Sequence, residues 1–438
     1  MVSSGDLVTS NRHPVPGSRQ AVAQVSASDG ERRQESGFAF LVLLTLLSLA
    51  GLSIFVAQLG ATKIAVQRQE LTATALVEAA QELIGDAARR LPVSDAGFLR
   101  LPDLGGSLPE GSASGTFTGD AKDLTVIGKF PWRTLATQAR RDRHGECLWY
   151  VVSGSFKNDT DTLKTDVFNW DTLGQIDVVN ASGQYIARNL AALMVAPGPA
   201  IDGQSHALAA AGYRECGGNY DARQYLDSFN LADAVVGEVN YFAGSINSRL
   251  APGTSNKKFV RVEGHAHYND QFHFITVDDI FNPLIRRRDF AAAIGVLLDD
   301  PYFQAHLKTV TVSGAKGTAN VNCWCNRAIC VAVTGDAFQT FCGNWKEMLL
   351  LTQLSAPAQI TIDGSLSPVP CTRVVIFAGR KTASQSRDTP ANRNNPLNYL
   401  EAGNETAFAV PVAASSSFAG QSVFTWRSPT ADIVRCLS

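Results

Sequence analysis

A surplus of charge of either sign is missing from this sequence. Its 438 residues hold 38 Lys and Arg against 40 Asp and Glu, a net charge of −2, which leaves no electrostatic basis for a nucleic-acid partner. The short motifs that announce catalysis are missing too. There is no serine nucleophile elbow, no phosphate-binding glycine loop, no His-Glu-x-x-His and no paired Cys-x-x-Cys. With no motif asking for a metal or an organic group, the reading is non-enzymatic, with no cofactor. Long apolar runs are also scarce, because one occurs near the N-terminus and none follows it. Any membrane contact through a helix is therefore made once.

That single run, residues 38–60 (FAFLVLLTLLSLAGLSIFVAQLG), carries no charge. As a helix it covers about 34 Å, enough to cross the hydrocarbon core of a bilayer. A helical pattern continues through residues 61–91 and stops at Pro92. Three readings of the segment stand side by side. A cleaved secretory signal has a shorter core and a small-x-small site at its far end, which Leu59-Gly60-Ala61 imitates poorly. A plain signal anchor needs only the apolar run. The third reading uses Gly37 and Phe38, where a peptidase acting on the cytoplasmic side leaves a new N-terminal Phe. Arg19, Arg32 and Arg33 before the run, against Lys63 and Arg68 after it, place the bulk of the chain outside the cytoplasm.

The joint pattern of basic flank, Gly37-Phe38, apolar span and unbroken amphipathic helix resembles the type IV prepilin and type II secretion pseudopilin class. The resemblance implies leader removal by a prepilin peptidase between Gly37 and Phe38. It also implies assembly with other pilin or pseudopilin subunits through a helix of roughly 80 Å. Two features depart from the pattern. Position five of the mature helix is Val42 where most pilins have Glu, and the leader is long and carries Glu31 and Glu35. Lack of that Glu is similar to K-type pseudopilins and X-type minor pilins, which implies a minor or tip role. The segments AAQELIGDA, FPWRTL…LWYVVSGSFKN and TVDDIF resemble a group of large prepilin-like proteins of Gram-negative bacteria.

Composition divides the chain into a disordered cytoplasmic leader (1–37), a transmembrane helix (38–60), its amphipathic continuation (61–91), a Gly/Pro/Ser loop (92–119) and β-rich lobes at 120–286 and 287–438. The fold class expected is α+β, a long N-terminal helix followed by a β-rich ectodomain. Short β-branched or aromatic runs such as DLTVIGKF, CLWYVVSGSF, KKFVRVEGHAHY, QFHFITV, LKTVTVSG, ICVAVTG, AQITIDG and RVVIFAG alternate with turn residues. A hairpin is expected around residues 180–183, and a second helix beginning near Asp278-Asp279. A stripe of Leu76, Ala79, Ala80, Leu83 and Ala87 is expected to pack the long helix on the ectodomain.

The halves echo each other. LMVAPGPAIDGQS at 193–205 resembles VIFAGRKTASQS at 375–386, and each precedes Tyr-Leu-acid-x-x-Asn, as Tyr225…Asn230 and Tyr399…Asn404. The shared order of elements predicts an ancient duplication, with 124–243 and 320–438 as related units.

Eight cysteines, Cys147, Cys216, Cys323, Cys325, Cys330, Cys342, Cys371 and Cys436, suit an exported chain meeting an oxidising compartment. Lobe-by-lobe folding predicts a Cys147–Cys216 bridge, with fifteen connectivities open to the rest. Zinc binding by Cys323, Cys325, Cys330 and Cys342 lacks the usual paired arms. Of seven histidines, His265, His267 and His273 cluster with Glu263 and Asp270; a metal pair and a solvated cross-strand patch both fit. Asn158, Asp159, Asp161, Asp166 and Asp171 fit either a calcium loop or Asx turns. Asp227/Asn230 and Glu401/Asn404 fit a repeated ligand site or caps.

The expected role is a minor pilin or pseudopilin-like subunit of the bacterial inner membrane. Its ectodomain would lie in the periplasm or on a cell-surface filament. The alternative is a signal-anchored periplasmic binding protein or metal-dependent enzyme that enters no filament.

Overall fold

The computed structural model describes residues 32–114, 125–157, 167–206, 216–217, 219–227, 257–262, 268–317 and 336–438. Cys323, Cys325, Cys330, Glu263, His265, His267, Asn230, the acidic candidates Asn158, Asp159, Asp161 and Asp166 and the segment ICVAVTG lie outside them. The protein mixes helix and sheet, in keeping with an α+β class. It divides into two compact units, Met1–Val66 and Gln67–Ser438. Helix α1 (Arg32–Arg89) contributes to both, and ends before Pro92, whose ring and missing N–H cannot continue it.

In the first unit, Phe38–Phe55 has a mean hydropathy of 2.5 and none of it is buried. It is the one stretch among the described residues long and apolar enough to cross a membrane. Its hydroxyls turn inward on the helix: Thr45, Ser48 and Ser53 donate to the carbonyls of Val42, Thr45 and Leu49 at 2.7–2.8 Å. Each polar group is thereby satisfied without water.

The second unit holds the last turns of α1, where Leu76, Ala79, Ala80, Leu83 and Ala87 are all buried. Their i, i+3, i+4 spacing makes one face, and its small residues let a sheet approach closely. Arg140 clasps the same turns, donating to Glu78 at 2.5 Å and Glu82 at 2.6 Å.

Two antiparallel sheets are built to one plan. In the first, β2 (Trp149–Val152), β5 (Ala192–Ala196) and β7 (Gln271–Ile275) lie side by side, with β1 (Val126–Lys129) outside β2. In the other, β8 (Leu349–Ala358), β11 (Cys371–Phe377) and β13 (Ile433–Leu437) lie in the same order. Registers agree residue by residue. Trp149 faces Val195, which faces Phe272; Leu350 faces Ile376, which faces Val434. The inserted strands agree as well. The hairpin β3 (Ile176–Val179) and β4 (Tyr185–Leu190) takes a parallel third strand, β6 (Lys257–Val260). The hairpin β9 (Thr361–Ile362) and β10 (Ser365–Leu366) takes a parallel third strand, β12 (Ala419–Gly420). The first hairpin turns at Asn180–Gly183, where Gly183 has φ +78°, a conformation that costs glycine nothing. The expected window 124–243 stops short of β6 and β7; the strands that share the plan, called the first repeat for that likeness alone, run to residue 275.

Between the sheets run α2 (Val277–Leu284), α3 (Arg288–Asp299), α4 (Pro301–Thr309) and α5 (Asp336–Trp345). α2 begins at Val277, one residue before Asp278, so the helix expected near Asp278-Asp279 is present. Thr276 is the cap and makes a reciprocal capping box with Asp279. Two helices replace the single one expected, broken at Arg286-Arg287. The run LKTVTVSG is not a strand: its first three residues close α4, started by Asp300 as cap and Pro301 in the first turn. Phe303 and Leu307, four apart, then bury together, and this helical spacing overrides the β-branched composition that follows.

One apolar core takes in the α1 stripe, the inner face of the first sheet (Val126, Tyr150, Val152, Met194), the helices and the second sheet (Leu350, Val374, Ile376). The lobes therefore share a core. A second cluster fills the other face of the first sheet, where Trp149, Val151 and Val195 meet Ile176, Val178 and Phe259. Cys147 pairs with Cys216 (Cα–Cα 5.7 Å) and Cys371 with Cys436 (5.1 Å). Cys342 is also disulfide-bonded.

Candidate functional site

The strongest concentration of buried polar chemistry is a tyrosine turn that occurs once in each repeat. In the first, the 3-10 turn Ala222–Gln224 delivers Tyr225, whose N–H returns to the Ala222 carbonyl at 3.1 Å. In the second, Pro396–Asn398 delivers Tyr399, whose N–H returns to the Pro396 carbonyl at 2.9 Å. A lysine ammonium lies over each ring: Lys129 at 5.0 Å from the Tyr225 centroid, Lys316 at 3.9 Å from that of Tyr399.

The segment after the central strand closes each ring from another side. Gln204 and Gln385 hold their own loops by accepting from the N–H groups of Ile201 (3.1 Å) and Thr382 (3.0 Å). The next N–H groups reach the tyrosine turns: Ser205 donates to Gln224 at 2.8 Å, Ser386 to Asn398 at 3.3 Å. One residue further, His206 stacks on Tyr225 at 4.5 Å and Arg387 lies over Tyr399 at 4.1 Å. His206 pairs with Glu146 at 3.2 Å, whereas Arg387 pairs with Asp171 at 2.8 Å. Beyond each tyrosine the chain is tied to the start of the last strand. The N–H of Asp227 donates to Asp270 at 2.8 Å, that of Glu401 to Asp432 at 3.1 Å.

Burial sets the electrostatics. It pulls both Lys129 and Lys316 down to about 8, against the raising effect of neighbouring carboxylates. It pushes Tyr225 up to about 12 and Tyr399 higher. Asp270 is pushed well above the carboxylate range by burial and the Asp227 charge, and Asp432 up to about 7 by burial foremost. The lysines are held internally. Lys129 Nζ donates to the Cys216 carbonyl at 2.7 Å and lies near three rings; Lys316 Nζ donates to the Glu347 carbonyl at 2.8 Å. Both amines are spent on main-chain carbonyls. The arrangement pins loops to sheets, and its chemistry is cohesive.

The residues picked out from sequence take related parts. Asp227 accepts from the N–H groups of Asn269 (2.5 Å) and Asp270 (3.1 Å) and from Gln204 (3.1 Å). Asn404 bonds both ways with Ala419 and donates to Asp432, so it braces β12. Asp227 and Asn404 are thus spent on internal hydrogen bonds, and Asn230 lies outside the described residues. Asp171, the described member of the acidic run, is committed to Arg387. His273 is half-buried on β7, across from Met194. It lines a cleft of about 460 Å³ with Gln69, Arg143, Arg261 and Asp270. Among the described residues no three His, Cys, Asp or Glu side chains converge as metal ligands. Gly37 lies within α1, and the Phe38 ring is exposed.

Lys129, Lys316, Glu146, Glu347, Asp270 and Asp432 take part in the turns without having stood out for them in the sequence. The Gln-Ser shared by the two echo segments was the available signal; one more residue adds His206 and Arg387. No known family matches the chain, and neither a curated protein nor a solved structure is detectably similar to it.

Proposed function

We propose that this protein is a non-enzymatic, membrane-anchored structural subunit of the minor pilin or pseudopilin kind, with a duplicated ectodomain. The observation that carries the reading is the division of labour along α1. Residues 38–55 are apolar, uncharged and exposed, with their hydroxyls satisfied within the helix, and so suit lipid or the helices of neighbouring subunits. Residues 76–87 instead bury a small-residue face under the sheets. The disulfides fit an ectodomain on the oxidising side of the membrane, the periplasm or a cell-surface filament.

Duplication is supported by strand order, register and the tyrosine turns, which agree together. Buried polar groups in both repeats are spent on holding loops, which favours a scaffold over a catalyst. Processing at Gly37-Phe38 by a prepilin peptidase in the inner membrane would release the subunit for assembly with other pilin-like chains.

N-terminal sequencing of the membrane-extracted protein tests the reading. A Phe38 start supports it. An intact leader would instead make the protein a signal-anchored binding protein or enzyme that enters no filament.

A further inference from the structure

Each repeat places one buried aspartate directly before its last sheet strand, Asp270 before β7 and Asp432 before β13, with 4% and 2% exposure. In both, Oδ2 accepts the N–H two residues beyond the repeat's tyrosine, from Asp227 and from Glu401. In both, Oδ1 is buried without a hydrogen-bond partner among the described residues. An ionised carboxylate seeks donors at both oxygens, and a buried Oδ1 with no protein donor leaves it poorly stabilised. A protonated carboxyl carries its hydrogen on Oδ1, keeps Oδ2 as the acceptor, and sheds the charge.

We propose that Asp270 and Asp432 are a matched pair of acid-strengthened ties, which hold the two tyrosine turns to the sheets when protonated and loosen them when ionised. The inference rests on the repeated geometry of the ectodomain and is independent of the filament reading.

The surrounding groups point the same way. Asp227 and Tyr268 face Asp270; His273, Arg143 and Arg261 line the cleft that it borders, and Gln204 and His206 are polar groups beside Asp227. The negative charge of Asp227 opposes ionisation of Asp270. Glu401 opposes ionisation of Asp432; Asn404 and the Glu401 N–H, both bonded to Oδ2, and the nearby Gly379 N–H favour it without prevailing, and Asp432 is pushed up to about 7. In an opened turn the carboxyl would titrate near 4. The closed turn therefore holds the extra proton between those values. Protection is full below about 4, falls as pH rises, and levels off above about 7.

The test is hydrogen exchange of the full-length protein in detergent, read by mass spectrometry and corrected for intrinsic rates. Protection of peptides covering 222–227 and 396–401 should fall with pH. At 396–401 the fall should approach tenfold per pH unit between about 4 and about 7, with none beyond. Asp432→Asn keeps the acceptor and cannot ionise. It should hold 396–401 at the acid level throughout while leaving the slope at 222–227 unchanged. Flat protection at both turns in the wild type, or an undiminished slope at 396–401 in Asp432→Asn, would overturn the proposal. The wild-type slope needs no variant, so a variant that fails to fold leaves the test standing.

Discussion

Arg387 donates from Nη1 to Asp171 Oδ2 at 2.8 Å, with 0% and 3% of the two side chains exposed, and thereby ties a loop of the first repeat to the tyrosine turn of the second. The guanidinium also lies over Tyr399 and donates to the carbonyls of Asn398 (2.6 Å) and Gly379 (3.1 Å). Its counterpart in the other repeat is His206, paired with Glu146 at 3.2 Å. One repeat thus uses a guanidinium where the other uses an imidazole.

Removing one partner of a buried pair strands the other charge. Arg387→Ala should destabilise the ectodomain by about 3–5 kcal/mol. Urea unfolding would show this as a lower midpoint at unchanged slope. In a double-mutant cycle, adding Asp171→Asn should cost less than it does alone. Additive losses would mean that the pair is not coupled.

Replacing Gly37 with Val should block leader removal while leaving membrane extraction unchanged. Intact mass would then exceed that of the wild type by the leader. An identical mature mass in both proteins would sink the prepilin reading.

Truncating Leu83, 1% exposed in the shared core, should cost about 2–5 kcal/mol through lost burial and the cavity left behind. Leu47→Ala, on the exposed apolar stretch, should leave the unfolding midpoint of the ectodomain unchanged. Equal losses at both positions would contradict the division of labour along α1.

The Cys147–Cys216 bridge closes a separation of 69 residues. Replacing both cysteines with Ala should cost on the order of 4 kcal/mol by the chain-entropy argument. Non-reducing peptide maps should join Cys147 to Cys216 and Cys371 to Cys436. A link between the two pairs would refute this assignment.

Lys129 and Lys316 titrate at about 8 when folded, against about 10.4 in an unfolded chain. Between those values the unfolded state holds more protons, so these lysines make stability rise with pH. The slope should be smaller in Lys316→Met. A stability profile above pH 8 that is identical in the variant would exclude this assignment.

The sequence alone determined what repeats locally or by spacing. A charge-free apolar run at 38–60, continued by a helical pattern that stops at Pro92, makes a helix whatever surrounds it. The i, i+3, i+4 positions of Leu76, Ala79, Ala80, Leu83 and Ala87 mark its buried face, and alternation with turn residues marks most of the strands. The Tyr225 and Tyr399 segments were legible as an echo because similar backbone turns need similar residues. Tertiary structure decided what depends on contacts between distant residues. Composition reads LKTVTVSG as a strand, yet the Asp300 cap and the Phe303/Leu307 pair draw its start into a helix. Nothing local in Lys129 or Lys316 distinguishes them from surface lysines until the fold lays them over the two rings. Asp171 resembles a member of an acidic loop until Arg387, far along the chain, neutralises it in the core. Asp270 and Asp432 are ordinary turn residues by type. Only the fold buries one oxygen of each away from any protein donor among the described residues and gives the other a main-chain N–H to hold.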